Sequence, residues 1–134
     1  MKKTKENLSP MEMVTEYHET AGLDFGVHIE GYPYDGLSKL RYNLISEEIK
    51  ELMAEFNTPV EDPIGPLLKE MADVVYVLYG WCVTFGSDLD EVLRRVHQNN
   101  IDRMYQDDGT ILYREDGKIM KNPNTPKVDL SDLV

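Results

Sequence analysis

Glu48 and Glu51, then Glu70 and Asp73, form two pairs of carboxylates, each pair three residues apart in a segment of strong helical character. The local order repeats: Glu48-Ile49-Lys50-Glu51-Leu52 and Glu70-Met71-Ala72-Asp73-Val74 both read acid, apolar, any residue, acid, apolar. Three residues along a helix leave two side chains about 60° apart on one face. In the first segment Leu37, Leu40, Leu44, Ile45, Ile49, Leu52 and Phe56 form an apolar stripe that contains Glu48 and Glu51, with Glu47 at its edge. A carboxylate on a buried face needs a compensating charge or must keep its proton. Lys50 and Lys69 are expected to project away from these acids. A divalent cation is then the simplest partner, and Mg2+, with Mn2+ as a substitute, suits hard oxygen ligands. Either pair alone reads as the solvated edge of an amphipathic helix. Two matching pairs on the two most apolar helices favour a metal site with Glu48, Glu51, Glu70 and Asp73 as ligands.

The pattern EExxE followed by ExxD, here Glu47-Glu48-Ile49-Lys50-Glu51 and Glu70-Met71-Ala72-Asp73, resembles the signature of the all-alpha NTP pyrophosphatase superfamily. That superfamily includes MazG-like proteins, dimeric dUTPases and dCTPases, and phosphoribosyl-ATP pyrophosphohydrolase. Flanking residues extend the likeness over most of residues 12–122: Leu40-Arg41, Leu44-Ile45, Tyr79-Gly80, Val83-Thr84-Phe85-Gly86, Asp88-Leu89-Asp90-Glu91-Val92, Val96-His97 with Asn100, and Tyr113-Arg114-Glu115-Asp116-Gly117-Lys118. They are most similar to the MazG-like branch nearest to phosphoribosyl-ATP pyrophosphohydrolase. The resemblance implies an all-α, four-helix MazG-like bundle completed by dimerisation. It also implies that Asn100 and the basic residue after it, here Arg103 where relatives usually carry Lys, help bind metal-bound phosphates. Relatives often place an aromatic after the basic arm, whereas this chain has Asn122-Pro123-Asn124-Thr125, which departs from that pattern.

At 134 residues the chain suits one domain with a moderate core. Its net charge of −11 opposes binding to nucleic acid or an anionic membrane, and makes metal ions more necessary for handling a phosphate substrate. A single cysteine, Cys82, excludes an internal disulfide and a cysteine-based zinc site. The basic start MKKTKENLSP lacks an apolar stretch after it, and the run near Val74–Val83 is too short to span a bilayer, so a cytoplasmic location is expected.

Four helices are expected to position the acids. Residues 1–8 are expected to be disordered, 9–105 to form the helical domain, and 106–134 to form a C-terminal arm and tail. Ser9-Pro10-Met11-Glu12 is a capping box with proline at the first helical position, and Gly22 ends that first helix. The aromatics of residues 22–36 are suited either to stack on a nucleobase or to pack over helix ends. A second helix is predicted near 37–56 and a third near 67–85, joined by a segment with Pro59, Pro63 and Pro66. The third is apolar on nearly every face after Asp73, which places it centrally or at a subunit interface. A fourth is predicted from Ser87 or Asp88 to about Met104, with Leu89, Val92, Leu93, Val96, Asn100 and Arg103 or Met104 facing inward. Asp107-Asp108-Gly109 and Glu115-Asp116-Gly117 are turn signals for a short hairpin or extended arm carrying Arg114, Lys118 and Lys121.

The inferred reaction is hydrolysis of a nucleoside triphosphate between its α- and β-phosphates, giving the monophosphate and pyrophosphate. Glu47 is the candidate general base, or a ligand to an additional ion, or a solvated helix-stabilising acid. Arg103 and Lys118, then Arg114 and Lys121, are the candidate phosphate contacts, with Asn100 either among them or a core amide. No Walker A loop occurs. None of His18, His28 and His97 stands three residues after a glutamate, which excludes the di-iron bundle pattern. His18 is expected to be structural or near the base. Phosphoribosyl-ATP is the runner-up substrate, and a non-catalytic nucleotide-binding dimer the alternative class.

Overall fold

The computed structural model describes residues 5–29, 36–58 and 64–134, and these divide into two compact units, Met1–Asp88 and Leu89–Val134. The division falls at the turn before the fourth helix, rather than near residue 105. The described residues are helical with no strand, as the all-α reading requires.

The first unit holds α1 (Pro10–Ala21), α2 (Gly36–Phe56) and α3 (Gly65–Thr84), with α3 packed against both of the others. The expected capping box forms: Ser9 Oγ accepts from the Glu12 amide at 3.2 Å, and Glu12 Oε1 accepts from the Ser9 amide at 3.0 Å. Just before it, the Lys5 amide donates to Glu16 Oε2 at 3.3 Å, so the described part of the N-terminal segment lies against α1. Gly22 closes α1 with φ of 69°, a left-handed conformation that glycine adopts without Cβ strain. Residues 23–29 then dock on the end of α3 through backbone hydrogen bonds. Gly26 donates to Val83 at 3.0 Å and Val27 to Thr84 at 2.7 Å. Gly26 and Gly86, with φ of 67° and 72°, hold the left-handed conformations on which this docking relies. Backbone hydrogen bonds hold the described part of this loop on a helix end, but its described aromatics, Phe25 and His28, are exposed, while Tyr32 and Tyr34 lie outside the described residues. The Pro59–Pro63 connection also lies outside them, and Pro66 sits in the first turn of α3 as a stiff helix start.

The burial pattern of α2 departs from expectation. Its buried residues are the polar Ser38 and Arg41, whereas Leu40, Ile49, Met53 and Phe56 are about half exposed. The inner face instead follows Ser38, Arg41, Ile45, Glu48 and Leu52, at helical spacing. On α3, Tyr79, Gly80, Val83 and Thr84 are buried, while Leu68, Met71, Val75 and Leu78 form a second exposed apolar stripe. One copy of the chain therefore has a small core, and its broad apolar stripes are not spent on it.

The second unit contains α4 (Leu89–Asp102) and the C-terminal arm. Contrary to the expected inward stripe, Leu93 is 57% exposed and no residue of α4 is buried. The arm makes a minimal hairpin: a single antiparallel bridge joins Tyr113 and Ile119 around the Glu115–Gly117 turn. The tail is pinned by side chains to its own unit. Arg95 reaches Asp132 at 2.5 Å and Glu91 at 3.1 Å, and Asn99 Nδ2 donates to the Pro126 carbonyl at 2.8 Å. A short 3-10 turn, Ser131–Leu133, ends the chain. No described helix is long and apolar enough to cross a membrane.

Candidate metal centre

The helices α2 and α3 bring Glu48, Glu51 and Glu70 together, with one carboxylate oxygen of each within 4.8 Å of the others. Two of these acids carry a further sign of strain. Glu48 Oε2 and Glu70 Oε2 are sealed from solvent, and neither has a hydrogen-bond partner among the described residues. Burial, reinforced by the negative charges of Glu51, Asp73 and Glu70 and by a hydrogen bond with Glu51, raises the Glu48 carboxyl above the usual carboxylate range. An orphaned buried acceptor costs about 1–3 kcal/mol or more when charged, so the cluster is costly unless a cation completes it. Three hard oxygen donors at this spacing fit Mg2+ or Mn2+.

Asp73 stands apart from the three. Lys69 Nζ pairs with Asp73 Oδ2 at 2.6 Å and approaches Glu70 Oε1 at 3.8 Å. The expectation that Lys69 projects away from the acids is therefore corrected. Its four-residue spacing to Asp73 puts the ammonium on the acidic face of α3, where Asp73 raises its proton affinity. Asp73 still lies close enough to Glu48 to repel it. Glu47 is exposed and outside the group of three, and Glu51 is exposed rather than within a buried stripe.

A pocket of about 400 Å³ opens within the same unit, lined by Glu48 and Asp73 at one part and by Tyr17, His18, Leu40, Arg41, Tyr76 and Gly80 elsewhere. Tyr17 and Tyr76 meet edge to face, with ring centroids 5.6 Å apart. His18 is fully buried, and its Nδ1 lies 3.0 Å from the Asp24 carbonyl. A carbonyl only accepts, so Nδ1 carries a proton and donates it. His18 therefore fixes the turn after α1, the structural role expected of it, and it also lines the pocket. Arg41 was passed over as part of the sequence flank. It is buried, its Nε has no partner among the described residues, and burial lowers its affinity for its proton. The signal was present, since Arg41 stands seven residues before Glu48 and so on the same face of α2.

In the second unit, Asn100, Arg103 and Lys121 line a separate groove of about 370 Å³ with Met104 and Ile119. Arg103 Nη2 donates to Asn100 Oδ1 at 2.7 Å, so these two residues hold each other. Asn100 is exposed, which removes the core-amide alternative. Arg114 is engaged by Asp116 beside it, and neither Arg114 nor Lys118 belongs to the groove lining.

Comparison with curated proteins gives no match. Residues 14–100, which run from within α1 to near the end of α4 and include all four acids, match the family model of phosphoribosyl-ATP pyrophosphohydrolase. The chain therefore belongs to the phosphoribosyl-ATP pyrophosphohydrolase family, a pyrophosphohydrolase family of the MazG-like all-alpha NTP pyrophosphatase superfamily.

Proposed function

We propose that this chain is a Mg2+-dependent nucleoside triphosphate pyrophosphohydrolase that cleaves between the α- and β-phosphates and releases pyrophosphate. The observation that carries this reading is the group Glu48, Glu51 and Glu70, with two sealed carboxylate oxygens that lack partners among the described residues. Such a set is unfavourable in isolation and favourable around a divalent ion that also touches phosphate. When bound, the ion supplies positive charge to the phosphate oxygens and acidifies a coordinated water. Glu48, Glu51 and Glu70 would hold it, with Asp73, here paired with Lys69, as a further ligand. Glu47, exposed beside Glu48, orients or deprotonates the attacking water. Arg103 and Lys121, with Asn100, contact phosphate oxygens, and Lys118 and Arg114 are further candidates on the arm. Arginine is able to hold a phosphate bidentately, so Arg103 suits the role usually given to lysine.

The working unit in this reading is a homo-oligomer in the cytoplasm, a dimer or a dimer of dimers. Support comes from the exposed stripes Ile49, Met53, Phe56 on α2 and Leu68, Met71, Val75, Leu78 on α3. A second copy would cover them. Phosphoribosyl-ATP is the second substrate reading, and the family match is what favours it. The test is release of pyrophosphate, measured against orthophosphate, from dNTPs, NTPs and phosphoribosyl-ATP with Mg2+, Mn2+ or chelator. Metal-dependent pyrophosphate from triphosphates is the expected result. Turnover of phosphoribosyl-ATP alone selects the second reading, and orthophosphate as first product overturns the cleavage site.

A further inference from the structure

Arg41 is a buried charged group that the proposed metal chemistry does not use. Its side chain is only 9% exposed, in the wall of the pocket that also holds Tyr17, His18 and Tyr76. It makes none of the ion pairs found among the described residues, and its Nε is without a hydrogen-bond partner among them. Its Nη1 lies 3.6 Å from where a Cβ on Gly80 would stand, an ordinary packing distance. A buried arginine without a carboxylate is stabilised when a ligand brings the acceptor.

Two features decide what kind of acceptor. Glu48 and Asp73, the ligands proposed for the metal, mark one part of the pocket as the phosphate end, which leaves Arg41 at another part for the remainder of the nucleotide. Arg41 also stands two helical turns from Glu48, about 10 Å along α2 at 1.5 Å per residue. That is the separation between the phosphates of a nucleotide and the far edge of its base, and the intervening wall is aromatic. Arginine offers a planar fork of donors and no acceptor. On the edge of a base remote from the sugar, a 6-oxopurine presents two adjacent acceptors, O6 and N7, which match that fork. Adenine presents a donor, the 6-amino group, beside N7. Cytosine also presents a donor, and its adjacent acceptor pair starts on the sugar side. Uracil presents one acceptor.

We infer that Arg41 reads the base, and that the preferred substrates are 6-oxopurine nucleoside triphosphates, with guanine or hypoxanthine as the base. This rests on the proposed pyrophosphohydrolase reading and narrows it, and it separates the chain from a phosphoribosyl-ATP enzyme, whose base is adenine. Arg41 is then a specificity-determining residue, and Tyr17 and Tyr76 supply the apolar surface against which the base lies.

The test uses the full chain with Mg2+ and compares kcat/KM for ITP and ATP, which differ only on the base edge in question, with GTP, UTP and CTP alongside. The expected result is a preference for ITP and GTP over ATP of about 10- to 100-fold. In Arg41→Met, which keeps the side chain's length without the donors, the ITP:ATP ratio falls towards one, and Arg41→Lys restores it only in part. Circular dichroism and gel filtration verify that each variant is folded and assembled. Equal use of ITP and ATP by the wild type, preference for a pyrimidine, or an unchanged ratio in a folded Arg41→Met all overturn the inference. If Arg41→Met does not fold, the wild-type ratios and the binding of IMP against AMP decide it alone. Absence of pyrophosphate release from every nucleotide is a different failure, that of the underlying reading, and IMP preferred over AMP in binding would still support the role of Arg41.

Discussion

Glu48→Gln is the sharpest perturbation of the acidic centre. It keeps the shape of the side chain and removes the charge that burial, Glu51, Asp73 and Glu70 all disfavour. Carboxylate oxygens of Glu51 and Glu70 lie within 4.8 Å of one on Glu48. At that limit two unit charges repel by about 3.5 kcal/mol at an effective dielectric of about 20, and by about 0.9 kcal/mol in water. Glu51 is exposed, so its contribution sits near the lower figure, while the Glu70 side chain is only 18% exposed and contributes more. Partial protonation of Glu48 and solvent screening reduce the sum, leaving a stabilisation of about 1–3 kcal/mol for the variant in chelator. For a chain of this size that is about 4–12 °C in melting temperature. The assay is thermal unfolding followed by circular dichroism near neutral pH, at one protein concentration, in chelator and in millimolar Mg2+. Wild type is expected to melt below Glu48→Gln in chelator and to gain more from Mg2+ than the variant does. A variant that melts lower than wild type in chelator and gains as much from Mg2+ refutes the view of these acids as a charge cluster awaiting a cation.

The same cluster sets a pH dependence. The native state keeps a proton on Glu48 over a window in which the unfolded chain has released it, so in chelator stability falls as pH rises from the ordinary glutamate value through the raised native one. Asp107, Asp108, Asp116, Asp129 and Asp132 are held below their usual values, mainly by hydrogen bonds, and push the other way; the difference between wild type and Glu48→Gln across acid titration isolates the Glu48 contribution. Ile49→Asp or Val75→Asp places a charge on an exposed apolar stripe and is expected to lower the oligomeric state in sedimentation velocity, an expectation lost if both variants sediment like wild type. Asp132→Asn removes the charge that faces Arg95, and amide exchange in residues 126–133 is expected to speed up; unchanged protection there would mean that the backbone contacts alone hold the tail. Burial keeps the Cys82 thiol above its ordinary proton affinity, so the native protein is expected to resist iodoacetamide near neutral pH and the unfolded protein to react.

Where local chemistry decides a feature, the sequence was sufficient. Ser9 and Glu12 cap α1 because their side chains satisfy backbone donors three residues apart, and Gly22 ends it through its own φ. Glu48, Glu51 and Glu70 converge because α2 and α3 pack with their acidic faces together. Lys69 was also legible in principle, since four residues separate it from Asp73, yet it was judged by the apolar stripe instead of by its neighbour. The face of α2 was misjudged for a deeper reason. Apolar periodicity reports which residues avoid water, not which partner covers them. Ile49, Met53 and Phe56 obey the period and remain exposed in one copy, while Ser38 and Arg41 are buried. Burial of Arg41 follows from the residues of α1 and α3 around it; its seven-residue spacing from Glu48 puts it on the acids' face of α2 but does not say that this face is covered.

The central claim is that Glu48, Glu51 and Glu70, with Asp73, drive metal-dependent release of pyrophosphate. The most direct measurement is turnover of the best triphosphate by wild type, Glu48→Gln and Glu70→Gln, each shown to be folded, with Mg2+ and with chelator. The account predicts pyrophosphate from wild type with Mg2+, none in chelator, and a loss of about 100-fold or more in either variant. Turnover that persists in chelator, or that survives at wild-type level in a folded Glu48→Gln, contradicts it.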